Sequence, residues 1–102
     1  MKKTAITKPL IMRTLRTVKD PELNVSIVDL GLVYSVSITK QGITISMTLT
    51  TIGCPLFPMI EQDVQNALYK KGVKKAKIVL TFDPPWNMKM MSNKARAQLG
   101  IL

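Results

Sequence analysis

One cysteine stands in the sequence, Cys54, within the run Thr48-Leu49-Thr50-Thr51-Ile52-Gly53-Cys54-Pro55. A strand-like run breaks at Gly53, and a helix-like run follows Pro55. Peptide N–H groups at a helix start are unpaired and carry partial positive charge. They favour a thiolate over a thiol and lower its pKa from the usual value of about 8.5. Gly53 admits an unusual backbone conformation, and Pro55 costs nothing at a first helical position. Such a sulfur suits nucleophilic attack or metal binding. A buried, inert cysteine is the competing reading, because free cysteine packs as a small apolar residue. Position alone does not choose between them.

The rest of the composition narrows the chemistry. There is no histidine, so a Cys–His pair is excluded, and a general base would have to be a carboxylate or a lysine. No second cysteine can resolve an intermediate, so a thiol enzyme is disfavoured. Zinc and iron–sulfur sites usually take four Cys or His ligands, so one chain does not complete a cage. A lone sulfur shares its metal with carboxylates, a second subunit or another protein, and a transient site is the expected form. A metal-bridged homodimer through two Cys54 thiolates is one way to add ligands.

Other side chains stand as candidate helpers. Thr50 and Thr51 carry hydroxyls close to Cys54 and face opposite sides of a regular strand. Thr48 reads as a β-former on a polar strand face. Asp20, Glu22 and Asp29 are half of the six acids and fall within ten residues, and Asp20 reads equally as a turn or capping residue. Asp83, before two prolines and Trp86, suits a loop over the sheet end. Trp86 itself reads also as a cover for the core edge. Met88, Met90 and Met91 cluster as an adaptable contact surface.

These residues must be held by elements that the pattern indicates. Residues 1–7 read as a loose tail and 8–102 as one domain. Pro9 opens a helix whose Ile11, Leu15 and Val18 share a face, with Asp20-Pro21 as its end. Residues 20–33 read as an ordered loop with a helical turn. Alternation predicts strands over 33–39 and 43–51, joined by a hairpin at Gln41-Gly42. A helix runs from Leu56 to Lys71, with Pro58 in its first turn and Gly72 as its stop. A third strand covers 77–82, residues 83–86 are irregular, and Ser92 caps a last helix ending before Gly100. The order α-β-β-α-β-α defines an α/β (α+β) two-layer sandwich: a three-stranded mixed sheet with helices on one face. The second and third strands are expected to be parallel, with a right-handed crossover. Strand order is open.

Composition sets the class. The chain has 102 residues, 46% apolar and 21% charged, which fits one globular domain. A single cysteine points to a reducing, cytoplasmic compartment. Lys8 and Arg13 interrupt the start, so no secretory signal is read there. The uncharged run 41–60 holds glycines, prolines and an alternating half, so it is not read as a membrane span. Fifteen basic residues against six acidic give +9, which draws polyanions or acidic proteins. A basic nucleic-acid-binding α/β module is the alternative function. It is weakened by five scattered aromatics and the lack of Gly-x-x-Gly.

The stretches "VKDPELNVSIVDLGLVYSVSI", "MTLTTIGCP", "DPPWNMKMMS" and "ARAQLGI" together resemble the MIP18-type domain, also called domain of unknown function 59, over roughly residues 10–102. The resemblance implies a non-enzymatic factor in iron–sulfur cluster assembly or maturation, with an assembly-domain-like α/β sandwich. One branch of the family is associated with the phenylacetate-degradation oxygenase. No permanent cofactor is implied, only transient iron or a cluster, and the partners implied are iron–sulfur scaffold or client apoproteins. The carry-over falls on Cys54 as reactive or ligand thiol, on Asp20 and Glu22 as the acidic pair, and on Thr50 and Thr51 as the threonines beside the cysteine. The chain departs from the family in placing Asn93 and Lys94 after Ser92, where acids are usual, and in its basic charge.

Overall fold

The computed structural model describes residues 6–50 and 57–100. Helix α1, Lys8–Arg16, starts at Thr7, whose Oγ1 accepts from the Leu10 N–H, with Pro9 in the first turn. The helix stops before Asp20-Pro21. Thr17 donates its hydroxyl to the Thr14 carbonyl at 2.7 Å, and the backbone then turns into a small antiparallel pairing. Ile27 N–H donates to Val18 O, Asp20 N–H donates to Val25 O, and Lys19 bridges Ser26. The helix thus closes at Thr17, ahead of both that pairing and Pro21.

Strands β1, Val33–Thr39, and β2, Gly42–Met47, form the hairpin that the alternation predicts. Helix α2, Phe57–Tyr69, leads to β3, Ala76–Leu80. The sheet order is β1-β2-β3, with β1 antiparallel and β3 parallel to β2. A short 3-10 turn, Met88–Met90, precedes α3, Asn93–Leu99. Three helices and a mixed three-stranded sheet thus give the expected small α+β fold.

Two strands are shorter than the alternation suggests. β2 ends at Met47 rather than 51, and β3 covers 76–80 rather than 77–82. The pattern of alternate apolar residues persists past the ladder because Leu49 is still buried. Past Met47, backbone bonds go elsewhere: Thr48 N–H donates to Leu32 O at 2.8 Å, and Thr81 N–H donates to Met47 O at 2.8 Å. Both links tie the exit of β2 to its neighbours on either side.

One sheet face carries Val36, Ile43, Ile45, Met47 and Ala76 into a core completed by Ile11 and Leu15 of α1 and Ile60, Val64 and Leu68 of α2. The other face carries Ser35, Ser37, Thr44, Ser46 and Lys77, exposed or half-exposed. The α2 stripe recurs every fourth residue, as a helix lying on a sheet requires. Gln65 fixes its register: its side-chain amide donates to Ala76 O at 2.6 Å, and its Oε1 accepts from Ala76 N–H at 3.3 Å.

Candidate functional site

The parallel pair β2 and β3 ends on one side of the molecule. In open α/β sheets, binding sites form beyond the carboxyl ends of such strands. Three chain segments meet there: residues 18–32, the exit of β2, and residues 81–92. Cys54 belongs by sequence to the six residues that join Thr50 to Phe57, the first residue of α2. Cys54 and Thr51 lie outside the described residues, as do Gly53 and Pro55.

Asp20 is buried and its carboxylate builds a turn. Oδ1 accepts from the N–H groups of Glu22 at 2.8 Å and Leu23 at 3.0 Å, and Asp20 O accepts from Asn24 N–H. Asn24 closes the turn at φ 57°, a conformation that asparagine tolerates. The capping role expected as one of two readings of Asp20 is therefore realised. Glu22 contributes its backbone N–H to this turn and keeps its side chain exposed. The structure thus brings Asp20 and Glu22 together in one turn. Thr50 is exposed, just beyond the buried Leu49.

Thr48 does not stand on a polar face. It is 0% exposed, and its Oγ1 has no hydrogen-bond partner among the described residues. Strand alternation predicts solvent for this position because Thr44 and Ser46 share its parity, but the chain leaves the ladder at Met47 and the next side chain is enclosed. An unsatisfied buried hydroxyl costs about 1–3 kcal/mol.

A second acid has a structural task that sequence reasoning left unassigned. Asp29 is buried, its Oδ1 accepts from Ser92 Oγ at 3.2 Å, and its carbonyl accepts from Ser92 N–H at 2.8 Å. Ser92 Oγ also accepts from Ala95 N–H at 3.1 Å, so it caps α3 as expected. The pair pins the start of α3 to the loop ahead of β1. The only advance signal was the density of acids in that loop.

Trp86 covers the edge of the core and donates Nε1–H to Leu30 O at 2.7 Å. Tyr34 donates its hydroxyl to Pro84 O at 2.7 Å and lies 3.5 Å from Met90 Sδ; the Asp83–Pro84 bond is cis. Gly31, at φ 81°, passes so close to Met90 that an added Cβ would lie 2.5 Å from its carbonyl oxygen. The three methionines divide: Met91 is buried in the core, Met90 is half-buried, and Met88 is 49% exposed. Among the described residues, no three Cys, His, Asp or Glu side chains gather into a metal-holding group. No described helix is long and apolar enough to cross a membrane.

The described residues form a small α+β domain of three helices and a mixed three-stranded sheet. The chain belongs to the iron–sulfur cluster assembly protein family, whose model matches residues 9–79. It is 49% identical to an Fe-S protein maturation auxiliary factor of Porphyromonas gingivalis, over 90% of each chain. It is 47% identical to the Fe-S protein maturation auxiliary factor YitW of Bacillus subtilis, over 92% of this chain and 94% of the other. Among solved structures it resembles a domain of unknown function 59 from Bacillus anthracis. That match has a TM-score of 0.86 at 38% identity, covering 93% of this chain and 92% of that one.

Proposed function

We propose that this protein is a non-enzymatic maturation factor for iron–sulfur proteins, acting in a reducing cytoplasm through Cys54. The thiolate contacts iron or a cluster briefly as cargo, or engages the scaffold or client apoprotein at the moment of transfer. Further ligands come from that partner or from a second copy of the chain. Asp20 and Glu22 shape the turn beside this end of the sheet, and Thr50 and Thr51 supply hydroxyls on the approach to the thiol. Residues 8–102 act as one unit behind a short tail.

One observation carries the reading: the stretch containing Cys54 leaves from the carboxyl end of a parallel strand and runs into the start of α2. Amides at a helix start favour an anionic sulfur held beside them. One thiolate without histidine or a second cysteine suits passing a metal on more than keeping it. The membership in an assembly family supports the same direction.

The test is anaerobic reconstitution with iron and sulfide, comparing wild type with Cys54→Ser by visible absorption. Wild type develops sulfur-to-iron charge-transfer bands that the variant lacks. Equal spectra would remove Cys54 from the cargo path and leave an adaptor role.

A further inference from the structure

The cations are unevenly placed. Between residues 64 and 82 there is no acid, but there are five lysines: Lys70, Lys71, Lys74, Lys75 and Lys77. They occupy the end of α2 and the start of β3. The β1–β2 hairpin with Lys40 reaches the same end, because Ile43 pairs with both Ile38 and Ala76. Asp63, the nearest preceding acid on α2, stands about two turns before Lys70. This end lies opposite the exit of β2, separated from it by the length of the strand, roughly 16 Å.

A groove of about 550 Å³ opens there between α1 and α2. Leu10 and Ala67 supply apolar surface, and Arg13, Lys70 and Lys71 supply charge. Thr14 and Thr17 also line it, but both hydroxyls donate to carbonyls of their own segment, at 2.8 and 2.7 Å. A second, lysine-lined depression of about 600 Å³ lies by the hairpin, with Lys75 and Lys77 beside Thr39 and Thr44.

The chemistry of the groove selects among anions. α2 presents its carboxyl end here, and the N–H groups of Lys70, Lys71, Gly72 and Val73 are all spent on α2 carbonyls. A phosphate site wants the opposite, a set of free backbone N–H groups at a helix start. Single-stranded nucleic acid wants stacked aromatics, and Tyr69 is the sole aromatic of this end among the described residues. An apolar floor with a guanidinium and two ammonium groups at its rim matches a carboxylate-bearing amphipathic helix. Such a helix can press leucine-like side chains on Leu10 and Ala67 while its acids meet the fork of Arg13 and the two lysines.

We infer that the α1–α2 groove docks an acidic amphipathic segment of a protein partner, leaving the Cys54 end free to meet cargo. This rests on the maturation reading above and adds the surface by which the partner is held.

The test uses a synthetic fifteen-residue helical peptide of glutamate and leucine, a single-stranded DNA of equal charge, and phosphatidylserine vesicles. Binding is compared for wild type, Lys70→Gln/Lys71→Gln and Lys75→Gln/Lys77→Gln, which lose equal charge. The groove pair is expected to weaken peptide binding about tenfold, and the sheet pair less than about threefold. Equal losses would show only a general field and overturn the assignment. So would absence of peptide binding at low salt, or tighter binding of DNA or vesicles than of peptide. None of these outcomes touches cysteine-dependent cluster formation, so the groove and the maturation role fail separately.

Discussion

The two ends of the sheet are built on opposite principles. At the end where β2 and β3 finish, the buried polar groups other than Thr48 are assigned. Asp20 holds a turn, Asp29 holds Ser92, and Trp86 holds Leu30. At the hairpin end, the side chains are long, cationic and solvated, and the backbone closes on itself through Thr39 and Gly42. The first end is tied by hydrogen bonds between distant segments, and the second carries solvated charge. A delivery protein gains from this division. A loop that handles metal needs a fixed frame, whereas long cationic side chains adjust to differing acidic surfaces.

Substitutions separate the two ends, beginning with the tightest contact. Gly31→Ala should have the largest effect, because the new Cβ meets the Met90 backbone at 2.5 Å and φ is positive. A loss of about 3 kcal/mol is expected, read as a fall in Tm of more than about 10 °C. Ser92→Ala removes the cap of α3 and strands the buried Asp29 carboxylate. It should cost about 2 kcal/mol in urea unfolding at unchanged m-value. Thr48→Val acts in the opposite direction. It removes a hydroxyl without a partner among the described residues from a fully enclosed position, so a gain of up to about 1 kcal/mol is expected. A marked loss in calorimetry would show that this hydroxyl is satisfied. At the other end, Lys75→Gln should change stability little, within about 0.5 kcal/mol in urea unfolding.

The elements were legible where one period ran uninterrupted, as in β1, in α2 and in the capped α3. The ends of β2 and β3 were not, because Leu49 stays buried after the ladder has stopped. The same departure hid Thr48, whose burial depends on segments distant in sequence. Asp29 and Ser92 are 63 positions apart, and no local rule pairs them. The strand order followed only from the pairing itself. Of the candidate site, the turn at Asp20 was readable from Asp-Pro-Glu. Cys54 stood out as the one thiol, by its chemistry rather than by any pattern of burial.

In the proposed function, Cys54 itself touches the cargo. The most direct measurement of that contact is alkylation of Cys54 followed by mass spectrometry, before and after anaerobic loading with iron and sulfide. Rapid alkylation of the unloaded protein is expected, with protection on loading that is reversed when a chelator removes the iron. Alkylation at the same rate in both states would contradict it.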